Sequence, residues 1–388
     1  MKKSIFYPLA ALAVLLTFGF IAWAFSQHGT YGLFHVERFF RIIFIGLGVL
    51  GVILVALILL HVWLTRHGEK LRFLTIPIIV LVVLEIVIPV FAFVYLSGIT
   101  SPKVGDVPRL MVVSDTGSKT LHFAVGSDAH FGAGTNRPDL TARMLDQISS
   151  PDNGYDYFFF LGDLVENGFQ GGNWKAALQA FSATTSTIPS VFAAGNHDTL
   201  FAGLNYYKKY CYPAGLESQS GSQLWHRIDL GNIHFLVLDI EWSAESYTKE
   251  QGKWLEEQLK SIPADEWKIV MCHGFFYSSG SVAGGWKWYD NPETIQAVTP
   301  LFEKYGVDLV FSGHNHLLEL LQKSGVTYVI CGGFGGKPDP IRTYISPASL
   351  WYAGETYGFT DVTVNDTEAR ILFRDPSGSI LESFTVAK

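Results

Sequence analysis

Two hydrophobic patterns divide this chain. Over the first quarter the apolar residues run almost unbroken, from Ile5 to Phe25, Ile42 to Leu64 and Phe73 to Leu96. At about 1.5 Å of rise per residue, each run is long enough to cross a hydrocarbon core of about 30 Å. The pattern predicts a membrane region over 1–97 with three transmembrane helices, at about 5–25, 42–64 and 73–96. Glu85 is the odd residue there, because a carboxylate inside a membrane is costly and calls for a partner across the helices; His61 is a candidate. Pro77 and Pro89 predict kinks in the third helix.

A linker rich in Gly, Pro and Ser covers 98–108, and the pattern then changes. Over 109–388 short apolar runs alternate with amphipathic stretches, which is the signature of an α/β domain. The runs FAVGS, YFFFLG, SVFAAG, KIVMC and VDLVFSG have the length and composition of strands buried on both faces. Helices are predicted from Asp139 to Ser149, Trp174 to Thr187, Thr248 to Ser261 and Pro292 to Tyr305. After Gly336 the stretches TDVTVN, ARILFRD and SILESFTVAK predict a closing antiparallel edge.

Each of the five buried-strand runs ends in a polar cluster. These are Asp128-Ala129-His130, Gly162-Asp163, Gly195-Asn196-His197-Asp198, Cys272-His273-Gly274 and Gly313-His314-Asn315-His316. The carboxyl edge of such a sheet is where loops from several strands converge on a ligand. Imidazole and carboxylate together suit borderline divalent metals, and a pair of metals needs a bridging carboxylate. Asp163, alone in its cluster, is the natural bridge. The D-x-H and H-x-H spacings place Asp128 with His130, and His314 with His316, on one side of an extended segment. Asp198 is expected to cap a helix starting near Thr199, and His122, His226 and His234 read as structural.

The ordered set D-x-H, G-D-x-x-E-N-G, G-N-H-D, a lone His after a strand, and G-H-x-H resembles the calcineurin-like metallophosphoesterase superfamily over roughly residues 120 to 335. That resemblance implies a domain of two mixed β-sheets in a sandwich flanked by helices, here following the three-helix transmembrane region. It implies two divalent ions, Mn, Fe or Zn, the first held by Asp128, His130, Asp163 and His316, the second by Asp163, Asn196, His273 and His314. His197 is then the general acid or charge stabiliser, paired with Glu166. Glu166 stands where the protein Ser/Thr phosphatases carry an orienting Asp and purple acid phosphatases a tyrosinate, so no tyrosinate–iron site is expected. In the aromatic segment after His273, Tyr277, Trp286 and Trp288 are candidate substrate contacts.

Composition narrows the partners. A formal charge of −7 without a basic tract argues against nucleic acid, and three cysteines make no disulfide framework. Lys2 and Lys3 before the first span, with Arg66, Lys70 and Arg72 after the second, favour the cytoplasmic side, which places the catalytic domain outside a plasma (inner) membrane; Arg38 and Arg41 weigh the other way. The expected function is metal-dependent hydrolysis of a phosphomonoester or phosphodiester, lipid-linked or from the cell envelope, at a membrane. The alternative is a membrane-bound ligand sensor or transport-associated protein that uses the domain for binding.

Overall fold

The computed structural model describes residues 3–35, 38–67, 74–100, 103–105, 120–212, 217–283 and 286–388. They form two compact units, Met1–Ser101 and Pro102–Lys388.

The first unit is α1 (Lys3–His35), α2 (Arg38–Arg66) and α3 (Thr75–Leu96). Three spans in it, Phe6–Ser26, Ile42–Arg66 and Thr75–Leu96, are long and apolar enough to cross a membrane. Contacts between helices use small residues, Ala10, Ala13 and Ala24 being fully or almost fully buried, while Leu15, Leu59 and Phe91 point outward. That is the arrangement expected where lipid replaces water and close packing replaces the hydrophobic effect. Glu85 is buried, and its partner is Thr17 of α1, whose hydroxyl reaches the Glu85 carboxyl and, at 3.2 Å, its carbonyl. His61 instead lies against the Phe6 ring, so the partner expected from the sequence is replaced by a hydroxyl on α1. The helix α3 runs through Pro89 as one element. Lys70 and Arg72, used above to orient the spans, lie outside the described residues, as does Lys2.

The second unit begins with β1 (Leu121–Gly126), α4 (Pro138–Ser149), β2 (Tyr157–Phe160), α5 (Gly171–Thr187), β3 (Ser190–Phe192), α6 (Gly203–Tyr210) and α7 (Glu217–Ser220). It continues through β4 (His226–Leu230), β5 (Ile233–Val237), α8 (Lys249–Ser261), β6 (Trp267–Met271), a small hairpin of β7 (Val282–Ala283) and β8 (Trp286–Lys287), and α9 (Pro292–Tyr305). It closes with β9 (Leu309–Ser312), β10 (Leu318–Lys323), β11 (Val326–Cys331), β12 (Ser349–Ala353), β13 (Phe359–Val364), β14 (Glu368–Arg374) and β15 (Ile380–Ala387).

Two mixed sheets result. One has the order β15-β14-β13-β1-β2-β3, the other β12-β10-β11-β9-β6-β5-β4. Strands β1, β2 and β3 are parallel, as are β5, β6, β9 and β11; the C-terminal strands β13 to β15 extend the first sheet antiparallel from β1. The sheets face each other through a dry aromatic layer in which Phe123 and Phe159 meet Phe235, at 5.4 and 4.6 Å between ring centroids. Alternate residues of β2 point the other way, Phe158 and Phe160 packing on Phe181 of α5. This explains why the run YFFF is apolar at every position rather than every second one. Burial of each such ring stabilises by about 1.5–3 kcal/mol.

On the outer face of the second sheet, Leu236, Val270 and Val310 pack beneath Leu255 of α8 and Phe302 of α9. Thr248 caps α8 by accepting from the Gln251 amide, and Asn291 caps α9 by accepting from Thr294, so both start where the sequence places them. Val104, inside the stretch read as linker, is buried in the core of this unit.

Candidate dinuclear metal centre

Parallel strands from both sheets deliver the polar clusters to one edge. Where β1, β2 and β9 end, the chain turns so sharply that Asp128 (φ 67), His130 (φ 48), Asp163 (φ 52) and His314 (φ 68) adopt left-handed backbone conformations. The loops pack so closely that a side chain at Gly195 would strike the Asp163 amide and carboxylate, and one at Gly313 would strike Ser127 and Asp128.

Two donor sets meet at this edge. In the first, Asp128 Oδ1 lies 3.3 Å from His316 Nε2 and 3.6 Å from His130 Nε2. In the second, Asn196 Oδ1, His273 Nε2 and His314 Nδ1 lie within 2.9–3.1 Å of one another. Asp163 Oδ2 faces both, 3.5 Å from His130 Nε2 and 3.2 Å from His273 Nε2.

The imidazoles are aimed by their other nitrogens. His273 Nδ1 donates to the Leu161 carbonyl at 2.7 Å and His316 Nδ1 to the Lys337 carbonyl at 2.6 Å. A carbonyl only accepts, so Nδ1 carries a proton and each ring, when neutral, turns a bare Nε2 inward. His130 is held the same way by the Glu166 carboxylate, 2.8 Å from its Nδ1. The inward nitrogens face carboxylate and amide oxygens, and Asp128 Oδ1 and His130 Nε2, both buried, make no hydrogen bond. Such a set of acceptors is stable only around positive charge. A proton can supply that charge as well as a metal ion: burial opposes charging His273, yet Asp163 and Asp128 push it up to about 9, whereas burial and His273 push His314 down to about 3. Asp128 stays well below the carboxylate range despite its burial, held there by His273, His130 and His316. The residues fit a pair of cations sharing the Asp163 carboxylate.

Around the donors the structure departs from the sequence reading in three places. Glu166 gives its carboxylate to His130; His197 Nδ1 is 3.9 Å from that carboxylate and donates instead to the Glu166 main-chain carbonyl at 2.6 Å. The turn geometry, which the sequence does not carry, aims the carboxylate past His197. Asp198 caps no helix, since α6 starts at Gly203; its buried carboxylate accepts from the Val165 and Gly195 amides at 3.1 Å each and ties two site loops together. Tyr277 packs on Tyr328 away from the cleft, at 5.1 Å between rings, because its side of the chain faces the core under α9. The Trp286 side chain lies outside the described residues, while Trp288 lines the cleft.

Other cleft residues escaped the sequence reading. Trp242 follows β5 as a single aromatic at a strand end, without a motif around it. Lys337 and Asp339 likewise stand in no motif; the glycine pair Gly332-Gly333 straight after β11 was the available signal. Gly336 is pressed against Asp128, His130 and His316, which lets the Lys337 carbonyl hold His316 while the Asp339 carboxylate accepts from the His316 amide at 2.9 Å. His122 pairs with Asp361 and His234 sits between Asp229 and Glu266, both outside the cleft.

The comparisons agree with this geometry. The calcineurin-like phosphoesterase family matches residues 108–318, more than half of the chain, and the chain belongs to that family. It is 24% identical over 278 residues to probable inactive purple acid phosphatase 24 of Arabidopsis thaliana, covering 63% of this chain and 45% of that relative. It is 25% identical over 326 residues to a nucleotide pyrophosphatase/phosphodiesterase of Hordeum vulgare, covering 74% of this chain and 84% of that protein. The chain thus spans less than half the length of the former relative. Among solved structures, a purple acid phosphatase from yellow lupin (Lupinus luteus) seeds matches with a TM-score of 0.59 at 19% identity, over 70% of this chain and 54% of that one. This last likeness is one of fold. Members of the family use a dinuclear metal centre.

Proposed function

We propose that the chain is a membrane-anchored, metal-dependent phosphoesterase. The observation that carries this reading is Asp163 Oδ2, placed 3.5 Å from His130 and 3.2 Å from His273, between two donor sets, in the first of which the buried Asp128 Oδ1 and His130 Nε2 make no hydrogen bond. Asp128, His130 and His316 would hold one divalent ion, Asn196, His273 and His314 the other, and Asp163 both. When bound, the ions supply a water nucleophile near neutral pH and neutralise charge on the phosphoryl oxygens. Around them, His197 is fixed twice, its amide donating to Asp163 Oδ1 at 2.8 Å and its Nδ1 to the Glu166 carbonyl. Its Nε2 is then the nitrogen free to protonate a leaving oxygen or stabilise charge there. Glu166 acts one step back, as the carboxylate that aims His130. Position 166 itself, where purple acid phosphatases carry the tyrosinate, is a glutamate here.

The three apolar helices support membrane association. The Lys and Arg placement supports a domain on the outer side of a plasma (inner) membrane, where lipid-linked or cell-envelope phosphoesters are the accessible substrates. A C-terminal reporter active only in the cytoplasm would overturn that orientation.

Purified full-length chain in detergent, loaded in turn with Mn²⁺, Fe²⁺ and Zn²⁺, is expected to hydrolyse 4-nitrophenyl phosphate or its bis-ester. A folded protein that binds metal and turns over neither would favour the sensor, a reading to which the name of the inactive Arabidopsis relative lends support.

A further inference from the structure

The donor sets do not account for the aromatic side chains beside them. Trp288 stacks over the His314 ring at 5.5 Å and 21°. Trp242 meets both edge-on, 5.0 Å from Trp288 and 4.5 Å from His314. Both indoles line the cleft and neither is fully buried. We propose that Trp242 and Trp288 form a subsite for a planar aromatic substituent of the phosphoester, next to the phosphoryl position. This assignment of substrate class rests on the phosphoesterase reading above.

Two observations separate the pair from ordinary surface aromatics. Indole area left in contact with water forgoes about 25 cal/mol per Å² of burial, and where it lines a cleft with converging polar groups it marks ligand contact. The pair is also held in place by a chain of hydrogen bonds. Trp288 Nε1 donates to the Ala283 carbonyl at 3.1 Å, and its amide to Ser281 at 3.0 Å. Its carbonyl accepts from Asn315 Nδ2 at 3.2 Å, and the same amide group donates to Ser278 Oγ at 2.7 Å. The Ser278–Ser279 turn is in turn fixed on the buried carboxylate of Glu319, which accepts from the Ser279 amide at 2.8 Å. On the other side, Asn291 Nδ2 donates to the Trp242 carbonyl at 3.2 Å.

Asn315, inside the G-H-x-H cluster, therefore connects the His314 loop to Trp288. It is a positioning residue. A pre-set indole slot binds a flat ring without a further ordering cost, which is how preorganisation raises affinity. With a cavity of about 230 Å³, just under the roughly 300 Å³ at which small-molecule pockets begin, the cleft accommodates a phosphoryl group with one ring rather than a long polymer.

The test compares 2-phenylethyl phosphate with 2-cyclohexylethyl phosphate, whose leaving alcohols match in reactivity and nearly in size, on the metal-loaded full chain. In parallel, calorimetry measures binding of the two matching phosphonates, which are not hydrolysed. The phenyl compounds are expected to be preferred by about two- to tenfold, the range of aromatic pairing. Trp288→Leu should bring the ratio to about one, Trp288→Phe should keep most of it, and Asn315→Ala should lower it in part. Equal binding of the two phosphonates, or a ratio that Trp288→Leu leaves unmoved, overturns the subsite and reduces the indoles to a water shield for His314. Should Trp288→Leu not fold, Trp242→Leu carries the same comparison. A phosphonate preference without any turnover would instead sink the hydrolase reading and leave the subsite standing.

Discussion

The three-helix unit and the phosphoesterase unit bury polar groups in different ways. Among α1, α2 and α3 the Glu85 carboxyl is buried with one side-chain partner, Thr17, and its Oε1 is left over. In the other unit, leftover atoms arrive together from the ends of several strands, with Asp128 Oδ1 and His130 Nε2 only 3.6 Å apart. An isolated orphan between helices is adequately explained by helix pairing. Orphans that converge need a shared positive partner, and that convergence, more than burial, identifies the site.

The largest test of this contrast is Asp163→Asn. Loss of the shared carboxylate should lower kcat by at least about 10²-fold, the scale of one electrostatic contact made in the transition state, with metal content measured alongside. Full activity with metals still bound would mean that the converging orphans are not the centre. Next, Glu166→Gln should weaken metal binding about 10–100-fold in a metal titration, because it removes the acceptor that aims His130. At saturating metal kcat should be largely kept, because His197 leans on the Glu166 main chain rather than on its carboxylate. A loss of kcat that metal does not restore would reinstate the carboxylate–His197 pair read from the sequence.

A third group sharpens the comparison from outside both sites. His226 is fully buried, makes no hydrogen bond, packs on Tyr212, and is pushed by burial from 6.5 down to about 3. Below pH 6.5 the unfolded chain takes a proton that the folded ring refuses. Stability present above pH 6.5 is therefore lost as pH falls toward 3, by about 1.4 kcal/mol per pH unit. Urea titrations from pH 7 to 4 should show this slope flattened in His226→Phe; an unchanged slope would put the acid sensitivity elsewhere. The smallest effect belongs to the three-helix unit. Thr17→Val should cost about 0.6 kcal/mol in detergent unfolding of the full chain, the usual worth of a hydrogen bond between spans. A loss several times larger would make Glu85 more than a packing contact.

Much of this architecture was legible in the sequence. FAVGS, YFFFLG, SVFAAG, KIVMC and VDLVFSG become β1, β2, β3, β6 and β9, and the helices expected from 139, 248 and 292 start within a residue of those positions, while α5 begins three residues before Trp174. These elements are legible because each carries its own burial period or cap. The helix α6, GLNYYKKY, was missed because eight residues make barely two turns, too few to establish a period, although Tyr207 and Tyr210 form its buried face. The donor residues stand out because every one sits within two residues of a glycine or another donor at a strand end. What failed to show was the second layer of contacts. Whether Glu166 turns to His130 or His197, and whether Trp242 reaches His314, depends on loop directions set by distant packing and on no local spacing.

The left-handed turns at Asp128, His130, Asp163 and His314 have one more consequence. Each places a non-glycine residue where the backbone resists by about 1–2 kcal/mol, so the domain would fold more readily with glycine at all four. Glycine at all four would relieve that strain and remove four donor side chains at once, so the strain of these turns and the donor set are one feature of the fold.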